Sequence, residues 1–129
     1  MNALTEMMTS PSNEGLCTWK HTLVDYVRSG EPDLTNRQMA LLLVVYLETG
    51  PHTVRGLARK LNVSKPVVTR ALNRLGALGY LRRQRDDSDK RNIFVARTPQ
   101  GADFLEEFGQ FLADGDDDHD EVIPRTVDA

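Results

Sequence analysis

Between Ser64 and Gly79 the sequence SKPVVTRALNRLGALG sets Val68, Ala71, Leu72, Leu75 and Leu78 at steps of three and four residues. That period describes an amphipathic α-helix and argues against a half-buried strand, whose apolar positions would alternate. The same winding carries Lys65, Pro66, Thr69, Arg70, Asn73 and Arg74 to the opposite side. Ser64 is a suitable N-cap, because its hydroxyl can accept from a first-turn N–H, and Pro66 falls where a missing donor costs little. Gly79 then ends the helix, since glycine tolerates the left-handed conformation there. One face is built to pack and the other is left free.

Upstream, Thr53 caps a shorter helix over Val54 to Leu61, with Val54, Leu57, Ala58 and Leu61 on one stripe, and Asn62-Val63 turns the chain into Ser64. Two short helices joined by so brief a turn, the second with a basic outer face, form a helix-turn-helix pattern. The free face of the second helix has the chemistry of a major-groove reader. Arginine pairs bidentately with guanine, Thr69 and Pro66 can meet a thymine methyl, and Lys65 or Arg74 can reach phosphates. An ordinary solvated helix would show the same pattern, so the neighbouring segments decide.

The formal net charge of −3 conceals an asymmetry. From Val54 to Arg97 there are twelve Lys and Arg against Asp86, Asp87 and Asp89, an excess of nine positive charges, which leaves twelve negative charges net on the remainder. Local potential matters more than whole-chain charge at a polyanion, so a basic module in an acidic chain is the footprint of a DNA binder.

Tyr80 to Arg85 and Asn92 to Arg97 are extended runs around the polar turn DDSDKR, which predicts a hairpin. Arg83 and Arg85 on its first strand and Lys90 and Arg91 at its tip join the candidate DNA contacts, the tip being suited to a narrow minor groove. Asp86 and Asp89 are read as braces that hold the loop through Arg91 or a helix arginine. Metal binding is the weaker reading because no third ligand stands nearby.

Thr35 and Gln38 make a capping box for the next helix upstream, whose body, Met39 to Leu47, is apolar on nearly every side and is expected to be the central core helix. Leu16 to Arg28 reads as a helix, and residues 1–15 as a mobile arm broken by Ser-Pro and Asn-Glu-Gly. Thr98-Pro99 starts a final helix to about Ala113, and residues 114–129 read as an acidic disordered tail. Phe104, Leu105, Phe108, Phe111 and Leu112 on the last helix need a cover, which the first helix of the same chain or a second subunit could supply, and together with Leu16, Trp19, Leu23 and Val27 on the first they are expected to form a dimer interface, with core as the other reading of Trp19. The fold class is therefore mostly α with a small β-hairpin wing: a winged helix-turn-helix domain over residues 16–113, with flanking N- and C-terminal dimerisation helices.

Nothing in the chain suggests catalysis. There is no nucleophile with a base, no glycine-rich phosphate loop and no metal-ligand set, and no cofactor or metal is expected. His52 reads as a loop histidine and His119 as part of a solvated acidic run. Cys17 reads as an inert packed thiol, with peroxide sensing as the alternative. The apolar run MALLLVVYL is far short of the roughly 20 residues that span a bilayer, and residues 1–15 lack a secretory pattern, so a cytoplasmic protein without a membrane partner is expected.

From about Thr35 to Leu112 the chain resembles the MarR family of bacterial winged-helix regulators. The likeness rests on LARKLNVSKPVVTRALNRLGALGYLRRQRDDSDKRNIFVARTPQG and above all on the wing turn Asp86-x-x-Asp89-Lys90-Arg91 followed by Thr98-x-x-Gly101. The resemblance implies a homodimer that binds double-stranded DNA at a palindromic operator, usually to repress. It places Arg70, Lys65 and Pro66 in the major groove and Lys90 or Arg91 at the wing tip, braced by Asp89. Many members release DNA when a phenolic or other small molecule binds or a cysteine oxidises. The family usually has two dimerisation helices after the wing, whereas one is evident here. A winged helix used only for protein interaction, without specific DNA binding, is the alternative.

Overall fold

The computed structural model describes residues 2–117. In chain order the elements are α1 (Ala3–Thr9), α2 (Pro11–Ser29), α3 (Asn36–Leu47), β1 (His52–Thr53), α4 (Val54–Leu61), α5 (Lys65–Ala77), β2 (Leu81–Arg85), β3 (Ile93–Arg97) and α6 (Pro99–Asp117). The chain divides into two compact units, one of them Asp33–Glu106 and the other formed by the segments up to Pro32 and from Glu107 onward.

In the unit Asp33–Glu106 the periodic positions read from sequence become the core. Val68, Ala71, Leu72 and Leu75 of α5 are buried, as are Val54, Leu57 and Ala58 of α4. Leu41, Leu42 and Val45 of α3 are wholly enclosed, but Leu47 at its end is exposed, so α3 is central along one side only. The capping box forms as expected: the Thr35 hydroxyl accepts from the Gln38 amide at 3.1 Å, and the Gln38 side chain accepts from the Thr35 amide at 3.0 Å. The turn between α4 and α5 depends on Asn62, which takes the left-handed conformation at φ 54°. Asparagine tolerates that region better than any other residue with a β-carbon.

The hairpin is a three-stranded antiparallel sheet of order β1-β3-β2. The third strand is unforeseen in the sequence: His52, read as a loop residue, pairs with Val95, and Thr53 with Phe94. Two residues carry no periodicity, and only the edge of β3 makes them a strand. A second unforeseen feature fixes the base of the wing. The single hydroxyl proton of Tyr46 lies between the carbonyls of Tyr80, at 2.7 Å, and Thr98, at 3.0 Å, while the Thr98 amide donates to the same oxygen at 2.9 Å. The Thr98 hydroxyl donates to the Gly79 carbonyl at 2.6 Å and accepts from the Gly101 amide at 3.0 Å, so it caps α6 and ties it to the end of α5. Arg97 donates from Nε to the Val45 carbonyl at 2.9 Å and from Nη2 to that of Glu48 at 3.3 Å. Arg97, counted in the sequence among the local basic charges, thus satisfies carbonyls at the C-terminal end of α3.

In the second unit the helix expected from Leu16 begins at Pro11, and a further helix, α1, precedes it, so residues 2–15, within the segment read as a mobile arm, are largely helical. The Ser10-Pro11 pair read as a breaker is a helix start, with proline in the first turn; Asn2 caps α1 by accepting from the Thr5 amide at 2.9 Å. Phe108 is buried edge-on to Trp19, ring centroids 6.2 Å apart, and to Tyr26, 5.4 Å apart. The last helix continues past Ala113 to Asp117, which corrects the tail boundary at 114. Gly115 makes the extension close-fitting: a β-carbon there would stand 2.8 Å from the Thr18 carbonyl. From residue 118 the acidic tail, His119 included, lies outside the described residues.

Candidate nucleic-acid interface

The exposed side of α5 carries the residues that the sequence places there. Ser64, Lys65, Pro66, Thr69, Arg70, Asn73 and Arg74 are all exposed. Ser64 departs from its expected role in one respect: it is the N-cap by backbone conformation, but its side chain makes no capping hydrogen bond. Its carbonyl accepts from the amides of Val67 and Val68, and the residue is exposed at the N-terminus of the helix. Gly79, at φ 79°, lets the Tyr80 amide return to the Leu75 carbonyl at 2.9 Å, and β2 begins at once. The hairpin is thereby set at the end of α5 by a short, hydrogen-bonded connection.

On β2, Arg83 and Arg85 are exposed, and so is Arg82, which lies outside the set chosen from sequence. The turn that follows is held by its own aspartates. The Asp86 carboxylate accepts from the Ser88 amide at 2.9 Å and the Ser88 hydroxyl at 2.7 Å, while its backbone amide donates to the Asn92 carbonyl at 3.1 Å. The hydroxyl and then the amide of Ser88 hold the Asp86 carboxyl below its ordinary value. A depressed carboxylate favours the folded turn at neutral pH, and that contribution is lost as pH falls through the lowered value. Asp89 accepts from the Arg91 amide at 3.1 Å and from Arg91 Nε at 3.2 Å. Both aspartates therefore shape the loop, and Arg91 is the partner of Asp89 while staying largely open to solvent, with 82% of its side chain exposed. Lys90, beside it, is exposed and has no carboxylate partner among the described residues.

Charge on this unit is mostly uncompensated. Among the described residues Lys60 pairs with Glu48 at 3.1 Å and Arg91 with Asp89, whereas Lys65, Arg70, Arg74, Arg83, Arg85 and Lys90 have no ion-pair partner. Unpaired exposed cations on a helix face and a hairpin suit a polyanion better than they suit the fold, because like charges repel until an anion arrives. No group of three His, Cys, Asp or Glu among the described residues could hold a metal ion, and no helix among them is long and apolar enough to cross a membrane.

The residues expected to meet a second copy divide into two sets. Phe104 and Phe108 are buried within the chain, Phe104 stacked on Tyr80 with centroids 4.5 Å apart and Phe108 against Trp19 and Tyr26. Both rings, expected at an interface with a second copy, thus have partners inside their own units. Leu105, Phe111 and Leu112 are half-buried. On α2, Leu16, Trp19, Leu23 and Val27 remain exposed, together with Val24. Cys17 is half-buried with its thiol directed at Asn13 Oδ1, 3.8 Å away, and no cation stands at the sulfur among the described contacts.

The MarR family's sequence profile matches residues 33–92. The chain is 26% identical over 105 residues to YwhA of Bacillus subtilis, an uncharacterised HTH-type transcriptional regulator, covering 74% of this chain and 76% of that one. The crystal structure of the transcriptional regulator Tm0710 from Thermotoga maritima superposes with a TM-score of 0.61 at 29% identity, covering 86% and 70%. The S. aureus MepR–DNA complex shares the fold, with a TM-score of 0.63 at 23% identity over 88% of this chain and 85% of that one.

Proposed function

We propose that this chain belongs to the MarR family, whose profile matches residues 33–92, and that it is a transcription regulator that binds double-stranded DNA as a homodimer at a palindromic operator. The observation that carries the reading is the set of unpaired cations on α5 and the wing of a single unit. In this reading α5 lies in the major groove with Lys65, Pro66, Thr69, Arg70 and Asn73 toward it, and the wing tip lies beside the minor groove. The exposed apolar stripe of α2 supports pairing with a second copy, which would present two α5 helices about 34 Å apart, one turn of DNA. Repression is the simplest mode, since a dimer on an operator excludes other proteins. An effector is assigned no site.

Affinity for duplexes selected from a random pool is expected to fall steeply as salt rises, with a slope near −0.9 per phosphate contacted. Salt-insensitive or absent duplex binding, with capture of an acidic protein instead, would transfer the basic surface to protein interaction.

Within this reading the two tip cations differ. Lys90→Ala is expected to weaken duplex binding by about threefold to tenfold and to shallow the salt slope by about one, with an unchanged melting temperature. An unaltered slope would take Lys90 away from the DNA.

A further inference from the structure

Arg37 lies outside both α5 and the wing, in the first turn of α3, where it is exposed. With Arg70 of α5 it lines a recess of about 260 Å3 whose other walls are Thr35, Gln38, Val67 and Ala71. Neither guanidinium has a carboxylate or a hydrogen-bond acceptor among the described residues. Two unpaired arginines opening on one recess are an electrostatic cost to the folded chain. The position of Arg37 adds to it, since a cation in the first turn opposes the helix dipole and no acidic residue accompanies it there. Packing gives no compensation, because both side chains are exposed. A single anion between them would attract both guanidiniums and would itself be favoured at the N-terminus of α3, offsetting these costs.

The recess adjoins the face of α5 that carries Pro66, Thr69 and Asn73, and a duplex laid on that face brings anions of one kind to its margin, the phosphates along the major-groove rim. We propose that Arg37 and Arg70 together hold one backbone phosphate of the duplex. Arg37 then fixes the register of α5 in the groove, and Arg70 is a phosphate anchor, which leaves base discrimination to Pro66, Thr69 and Asn73. The guanidinium fork suits this role, as it can offer two parallel N–H donors to phosphate oxygens. The inference rests on the DNA-binding reading given above and adds to it a contact residue, a partner atom and a division of labour.

The test uses the full chain with a duplex selected from a random pool and a scrambled duplex of equal length, each titrated over a range of salt. Arg37→Ala is expected to lose roughly tenfold in affinity on both duplexes alike and to shallow the slope by less than one, because Arg70 still meets the shared phosphate, while Arg37→Lys keeps most of the affinity and slope. The melting temperature of Arg37→Ala should stay level or rise, since a cation leaves the first turn of α3. Because the two arginines share one phosphate, the Arg37→Ala, Arg70→Ala pair should lose less than the product of the single losses. Wild-type affinity and slope in Arg37→Ala, a change of base preference in place of a uniform loss, or a fall in melting temperature that accounts for the weaker binding would each overturn the proposal. Wild-type protein that binds neither duplex would instead bring down the DNA-binding reading itself.

Discussion

Replacing Gly101 by alanine should lower the melting temperature by about 10 °C or more, the largest stability effect expected of any single methyl group in this chain. A β-carbon at Gly101 would stand 2.0 Å from the Tyr46 hydroxyl oxygen and 2.2 Å from the Tyr80 carbonyl oxygen. The first of these atoms could move, but only by leaving the two carbonyls and the Thr98 amide to which it is bonded. The second is backbone at the start of the wing and cannot yield without shifting β2. Overpacking of this kind costs about 3 kcal/mol or more when the obstructing atom is main chain. Gly109→Ala, in the same helix with nothing within 4 Å of the new carbon, supplies the control and should gain about 0.5 to 1 kcal/mol from helix propensity. Thermal unfolding followed by circular dichroism separates the two, and equal melting temperatures would show that the Tyr46 junction is not tight.

The largest effect on function is expected from Leu23→Glu combined with Val27→Glu. These side chains are 40% and 74% exposed, so charging them removes little packing within the chain while making the α2 stripe repel a second copy. Sedimentation should show monomers for this variant and dimers for the wild type at tens of micromolar. Operator affinity should fall by about a hundredfold to ten-thousandfold, because each half-site is then bound without its linked partner. Phe108→Glu cannot replace this pair as a probe: Phe108 is enclosed by Trp19 and Tyr26, and a carboxylate there would damage the unit before any assembly is tested. A charged double variant that still sediments as a dimer would move the interface elsewhere.

What the sequence made legible follows a physical division. Val68, Ala71, Leu72 and Leu75 could be placed in the core because a helix face is a local property, and the same winding settled which side chains of α5 face solvent. Thr35 and Gln38 were legible because a capping box spans four residues. Apart from α1 and the early start of α2, the unforeseen features of the fold are long-range. The strand at His52–Thr53 exists through β3, some forty residues away in sequence, and Tyr46 bonds to groups 34 and 52 positions along the chain. A hint of the latter was present: a tyrosine in an otherwise apolar helix needs a partner for its hydroxyl. Phe104 and Phe108 carry the same apolar signal as a residue facing a second subunit, and periodicity does not say which rings the chain itself will cover. Arg37 escaped notice for another reason, since its significance lies in Arg70 across the recess and in the acid that its helix turn lacks.

The wing is closed twice, at its base by Tyr46 and Thr98 and at its tip by Asp86 and Asp89, and the two closures share no residue. Such a hairpin behaves as a socket with an interchangeable bit. Substitutions, and even changes of length, between residues 86 and 92 fall within a loop that satisfies its own polar groups, so they need not be answered by compensating changes in α3, α5 or α6. Lineages of this architecture can therefore retune what the tip touches while the helix in the groove stays as it is, and drift in one binding element is uncoupled from drift in the other.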